Sequence, residues 1–149
     1  MTGYWNAETA TAEVLKDGWL HTGDIAHIDE DGYLFIVDRK KDLIICGGHN
    51  VYPTEIEEHL AKLPEVKLSC VVGIADDYMG EVPKAFIVLQ PGAQLSAERV
   101  RAYLEQRLVK YKVPRHYEFR DALPTSPIGK VLRKQLREGA RDGAAAPGA

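Results

Sequence analysis

The sequence predicts an α+β fold: a short β-sheet flanked by helices in a small three-layer arrangement, preceded by a β-hairpin. Three observations carry this. Two β-branched runs, residues 66–75 and 82–90, are long enough for neighbouring strands. Two segments with apolar residues at helical spacing bracket them: Ile56, Leu60 and Leu63 before, and Val100, Tyr103, Leu104 and Leu108 after. Ahead of Asp38 lie only a few short strands, too few to bury both of their faces, so this stretch reads as the edge of something larger.

Residues 1–16 are poorly periodic, with Thr9-Ala10-Thr11 ahead of a short helical patch over 12–16. Trp19-Leu20-His21 and residues 25–28 read as strands on either side of Thr22-Gly23-Asp24. Asp29-Glu30-Asp31-Gly32 is a turn in which Gly32 supplies the positive φ, joining 25–28 to 33–37 as a hairpin. The charged run Asp38-Arg39-Lys40-Lys41-Asp42 then separates two apolar runs and suits an exposed joint. Residues 43–46 form a short strand ending at Gly47-Gly48.

Pro53 fits the first turn of a helix, and Glu55, Glu57 and Glu58 suit its positive end. After the two long strands, Ser96 is a good N-cap for the second helix; Arg99 at N3 rules out a capping box. His116–Phe119 adds a strand and residues 130–137 a last short helix. The Ala/Gly/Pro-rich end is expected to be disordered. The expected division is 1–38 as an appendage, 39–137 as the domain and 138–149 as a tail.

A chain of 149 residues can bury a core without staples. Its formal charge of −3 argues against a nucleic-acid partner, since phosphate binding needs clustered Lys and Arg in excess. No apolar run approaches a membrane span, and no secretory signal opens the chain. Cys46 and Cys70 each sit inside an apolar run and read as reduced core residues of a cytoplasmic protein. No metal-ligand set stands out.

Four local features could carry chemistry. Asp24, beside a glycine turn, could accept two hydrogen bonds from a vicinal diol, although an Asp after Gly is also a plain turn residue. The joint from Asp38 to Asp42 could equally be a solvated loop. Gly47-Gly48 could let a ligand lie against the backbone, or simply turn the chain. Pro124-Thr125-Ser126-Pro127-Ile128-Gly129-Lys130 sets one lysine after a flexible glycine.

In their order and spacing, these features resemble the adenylate-forming superfamily of acyl-CoA synthetases, peptide-synthetase adenylation domains and beetle luciferases. The resemblance runs from about Gly3 to Lys134. Thr22-Gly23-Asp24 is similar to its ribose-binding motif, and Asp38-Arg39-Lys40-Lys41-Asp42 to its inter-domain hinge. The stretch from Gly47-Gly48-His49-Asn50 to Glu57 is similar to the loop and helix after the hinge, and Pro127-Ile128-Gly129-Lys130 to the motif of the adenylation lysine.

The resemblance implies a C-terminal lid whose hairpin belongs to a large N-terminal adenylation domain. That domain would be its partner, with Mg2+-ATP, a carboxylic acid and CoA as ligands of the complete enzyme. By this resemblance Asp24 and Arg39 bind the nucleotide, Lys41 is the hinge, Gly47 and Gly48 line the pantetheine tunnel, and Lys130 is catalytic and open to regulatory acylation. The family's phosphate-binding loop, acyl pocket and Thr-Glu motif do not occur in the sequence, so the fragment is expected to bind no cofactor tightly, to be inactive alone, and to dimerise through its exposed hairpin.

Asp38-Arg39-Lys40-Lys41-Asp42-Leu43-Ile44-Ile45 before Gly47-Gly48 looks most like fatty or medium-chain acyl-CoA ligases. Aryl-acid ligases and peptide-synthetase lids are the alternatives. A stand-alone binding module derived from such a lid is the alternative of another class.

Overall fold

The structure is a computed structural model that describes residues 1–143. The chain divides into two compact units, Met1–Lys41 and Asp42 onward. The seam therefore lies three residues beyond the expected one at 38/39.

In the first unit, helix α1 (Glu8–Val14) precedes strands β1 (Leu15–Lys16) and β2 (Trp19–Leu20). The helix begins four residues earlier than the sequence suggested, and Leu15 and Lys16 are strand. Asp17 and Gly18, with φ of 50° and 81°, turn β1 back onto β2. A two-residue Asp-Gly loop with both φ positive is the turn that matches strand twist. Strands β3 (Asp24–Ile28) and β4 (Leu34–Arg39) pair antiparallel, with a register shift between Ile25 and Ala26. The expected hairpin turn is there, with Gly32 at φ 86°. The Asp29 carboxylate accepts from the Asp31 and Tyr33 N–H groups at 3.1 and 2.8 Å, which closes it. The sole buried residue of this unit among the described residues is Asp38, whose carboxylate accepts from the Arg39 N–H at 2.7 Å.

The second unit is built on a five-stranded sheet. β5 (Ile44–Cys46), β6 (His49–Val51), β7 (Val66–Asp76), β8 (Gly80–Leu89) and β9 (His116–Phe119) take the order β6-β5-β8-β7, with β9 pairing parallel to β8. β7 and β8 form one long antiparallel hairpin, with the turn between them held by Asp76, whose Oδ1 accepts from the Met79 and Tyr78 N–H groups.

Side chains alternate across this sheet, so each face gains its own apolar cluster. On one face Val71, Ala85 and Ile87 pack under α2 (Pro53–Leu60) and α3 (Ala97–Glu105), through Ile56, Leu60, Val100 and Leu104. On the other, Cys70, Val72, Phe86 and Val88 meet Leu123 and α4 (Arg133–Gly143), through Leu136 and Ala140. Helices on both faces of one sheet make three layers. The Arg99 N–H donates to Ser96 Oγ at 3.3 Å, the expected N-cap. Both cysteines are buried and free. Burial pushes the Cys70 thiol up to about 12, with Arg133 opposing.

Three further sequence readings change. His49–Val51 is a strand that its polar residues did not announce. The expected exposed joint from Asp38 to Asp42 is the end of β4 followed by a short 3-10 turn, Lys40–Asp42, with Asp38 and Asp42 buried. The last helix starts at Arg133, not at residue 130, and continues through Gly143 where a disordered tail from 138 was expected; the rest of that tail lies outside the described residues.

Candidate functional site

Three local constructions hold the residues singled out from the sequence. The first lies within the first unit. Asp24 opens β3 and Arg39 closes β4, and the register sets them opposite each other. Arg39 Nε lies 3.2 Å from Asp24 Oδ1. The Thr22 hydroxyl accepts from the Asp24 N–H at 3.1 Å, and the Lys40 N–H donates to the Gly23 carbonyl at 2.8 Å, so the strand ends are stitched together. Thr22, Gly23, Arg39, Lys40 and Lys41 line a cavity of about 490 Å³ beside this pair. Its wall carries three cationic side chains and a backbone that can approach closely at Gly23, a setting for a phosphorylated, hydroxyl-bearing ligand.

The second construction is the turn between β5 and β6. Cys46 pairs with His49, leaving Gly47 and Gly48 as a two-residue loop with φ of 57° and 82°. Both glycines are demanded by backbone geometry. A Cβ on Gly47 would also lie 2.5 Å from the Met79 methyl, whereas one on Gly48 would meet nothing within 4 Å. Gly48 thus leaves a bare stretch of main chain. The Gly47 N–H donates to the Met79 carbonyl at 2.8 Å, which ties this turn to the β7–β8 tip. His49 stacks on Tyr111 at 4.4 Å between ring centroids.

Close by, Cys46, Met79, Arg101, Lys110, Tyr111 and Arg115 contribute to a cavity of about 280 Å³. These cations were not singled out in the sequence, because Arg101, Lys110 and Arg115 lie on different elements. Arg115 is shared with Asp76 at 3.0 Å, and Arg101 with Glu105 at 2.9 Å.

The third construction presents Lys130. Residues 125–131 form a narrow hairpin. Thr125 bridges Val131, and the Ser126 N–H donates to the Lys130 carbonyl at 2.8 Å. The Gly129 N–H donates to the Ser126 carbonyl at 2.8 Å, and Gly129 has φ 79°. Pro127 stands second in that turn, where its fixed φ is favourable, and a left-handed glycine completes the three-residue loop. The Lys130 N–H donates to Ser126 Oγ at 3.1 Å. Lys130 is exposed, and its ammonium has no hydrogen bond or ion pair among the described residues.

The sequence-predicted residues therefore fall into two groups. Asp24, Arg39 and Lys41 belong to the first unit; Gly47, Gly48 and Lys130 belong to the second. Among the described residues, no three His, Cys, Asp or Glu side chains converge as a metal site would require. No helix among them is long and apolar enough to cross a membrane.

Residues 55–130 match the family model of the AMP-binding enzyme C-terminal domain. The chain is 50% identical over 138 residues to a long-chain-fatty-acid–CoA ligase of Bacillus subtilis (strain 168), covering 93% of this chain and 25% of that protein. It is 48% identical to a feruloyl-CoA synthase of an Amycolatopsis species, covering 92% of this chain and 28% of that protein. It thus spans about a quarter of the length of these curated relatives.

Among solved structures, ATP-bound MatB from Rhodopseudomonas palustris superposes with a TM-score of 0.86 at 39% identity, covering 94% of this chain and 28% of that one. The o-succinylbenzoate CoA synthetase of Bacillus subtilis, in complex with its acyl-adenylate, gives 0.85 at 41% identity, with 92% and 28% covered. With Lys130 as the last residue of the matched segment, which covers half of its length, the chain belongs to the family of AMP-binding enzyme C-terminal domains.

Proposed function

We propose that this chain is the moving C-terminal part of an AMP-forming acid–CoA ligase, with Lys130 serving the first half-reaction and the Gly47-Gly48 turn the second. In the first, a carboxylate oxygen attacks the α-phosphorus of ATP and pyrophosphate leaves. In the second, a CoA thiolate attacks the acyl carbon and AMP leaves. The observation that carries the reading is the Lys130 hairpin: a hydrogen-bonded turn that presents an exposed ammonium with no hydrogen bond or ion pair among the described residues. Charge grows on the phosphoryl oxygens during adenylation, and a positioned cation there is worth about a hundredfold or more in rate.

Asp24 and Arg39 take the ribose and phosphate side of the nucleotide beside the first unit's cavity, and Mg2+ enters as the ATP chelate. Lys41, at the seam between the units, is the hinge whose torsions exchange the two working faces. The bare main chain at Gly48 accepts the pantetheine arm, and the cations Lys110 and Arg115 suit the CoA phosphates. The large N-terminal domain covers the exposed apolar side chains of the β3–β4 hairpin. Without it, the same faces pair copies of this chain into a concentration-dependent dimer.

The acid belongs to the carboxylic acids activated as CoA thioesters, with fatty and medium-chain acids first. The fatty-acid and feruloyl relatives are nearly equally similar, so this part of the enzyme does not separate them. Acylation of Lys130 would remove the charge and switch off adenylation.

Complementation tests the reading. Added to a ligase large domain that lacks this part, the chain should restore acid-dependent pyrophosphate release, and a Lys130→Ala chain should not. Equal restoration by both would remove Lys130 from the mechanism. Tight association without restored turnover would favour a stand-alone binding module.

A further inference from the structure

Resting on the reading of Lys130 above, we propose that Arg133 and Glu57 are positioning residues that set where Lys130 is presented, and so govern adenylation and not thioester formation. Arg133 is the first residue of α4, three positions after Lys130. Its Nη1 and Nη2 donate to the two carboxylate oxygens of Glu57, each at 2.6 Å. Nη1 also donates to the Val71 carbonyl at 3.0 Å, and the Val71 N–H donates to Glu57 Oε1 at 2.6 Å. Four hydrogen bonds therefore join α2, the outer strand β7 and the start of α4.

The site is largely withdrawn from water, with the two side chains 25% and 17% exposed. Burial lowers the basicity of Arg133, but hydrogen bonding to Glu57 and the charges of Glu57, Cys70 and Asp42 together outweigh it, so the guanidinium is held charged above its ordinary range.

The hairpin itself has few other anchors. Its described hydrogen bonds are internal, apart from the Arg133 N–H donating to the Val131 carbonyl at 3.2 Å and, just behind it, the Leu132 N–H donating to the Pro124 carbonyl at 2.8 Å. Val131 and Leu123 pack on the second apolar cluster, but apolar contact does not fix direction. A bidentate fork does, because both donors and both acceptors must stay coplanar. Only Val131 and Leu132 separate this fork from Lys130, so a tilt of Arg133 moves the ammonium. A displacement of about 1 Å at a catalytic group costs on the order of a hundredfold in rate.

The test is a comparison of half-reactions in the full-length ligase carrying this chain. Arg133→Lys keeps the charge and loses the fork. It should lower acid-dependent ATP–pyrophosphate exchange by about tenfold or more, and leave thioester formation from supplied acyl-adenylate and CoA within about twofold. Lys112→Met, which breaks the 2.7 Å pair with Glu55 elsewhere on α2, controls for lost stability and should produce no such split. In the 149-residue chain, amide exchange at Gly129 and Lys130 should accelerate in Arg133→Lys and not in Lys112→Met.

If Arg133→Lys fails to fold, Glu57→Gln must show the same split and the same amide exchange. Equal loss in both half-reactions, or unchanged exchange at Gly129 and Lys130, would overturn the proposal. Lys130→Ala separates the two readings: if it leaves adenylation intact, the role of Lys130 falls. If it abolishes adenylation while the Arg133 and Glu57 variants show no split, only the positioning role falls.

Discussion

The two units of this chain use the same strand-and-turn vocabulary to opposite effect. Both contain tight hairpins with left-handed residues, at Asp17-Gly18 and Gly32 in one and at Gly47-Gly48 and Gly129 in the other. Yet every buried apolar side chain lies from Ile44 onward, while the first unit leaves Trp5 92% and Trp19 76% exposed and its one buried residue is a carboxylate. Turn chemistry shapes a hairpin; burial stabilises it. An isolated two-stranded ribbon is at best marginal in water, whereas a sheet covered on both faces stands alone.

The sharpest way to break this comparison is to separate the units. Residues 42–149 should melt cooperatively by circular dichroism, and a peptide of residues 1–41 should show no cooperative transition at all. A cooperative melt of that peptide would mean that its exposed apolar residues do hold a fold. At the next scale, Phe86→Ala should cost about 3–5 kcal/mol in urea unfolding, because the ring is fully buried between β8 and α4. Ile36→Ala in the first unit should change the same transition by less than about 0.5 kcal/mol. Ser96→Ala should cost about 1 kcal/mol through the lost α3 cap.

The smallest expected effect concerns acid. The N–H groups of Met79 and Tyr78, together with Arg115, hold the Asp76 carboxyl below its ordinary 3.8. A lowered folded value means that Asp76 stabilises the second unit above the unfolded pKa and loses that contribution as pH falls through the lowered one. Thermal melts of Asp76→Asn should thus depend less on pH than the parent below about pH 4.

What could be read in the sequence follows the same divide between local and distant. The β7 and β8 runs, the Ser96 cap and the Gly32 turn are local patterns, and each stands within a residue or two of its expected place. The Asp17-Gly18 loop is equally local, but the strands it joins are two residues each, too short to show a period in the sequence. Lys130 reads as the start of a helix from the residues after it, but Pro127 and Gly129 before it close a hairpin. The parallel pairing of β9 with β8 and the fork between Glu57 and Arg133, 76 residues apart, have no local signal. The motifs point to Asp24, Arg39, Gly47, Gly48 and Lys130 as candidates, and carry no sign of the Glu57–Arg133 clamp behind the last of these.

That clamp has a consequence for how the molecule behaves in a crowd. β7 is an outer strand of 11 residues, and a long bare strand edge invites other chains to add to it. Glu57 and Arg133 occupy the outward N–H and C=O of Val71, at its midpoint, leaving five residues on either side. Stable cross-strand stacking needs roughly six or seven consecutive residues. The second unit can therefore carry a long sheet edge without recruiting its neighbours into fibres.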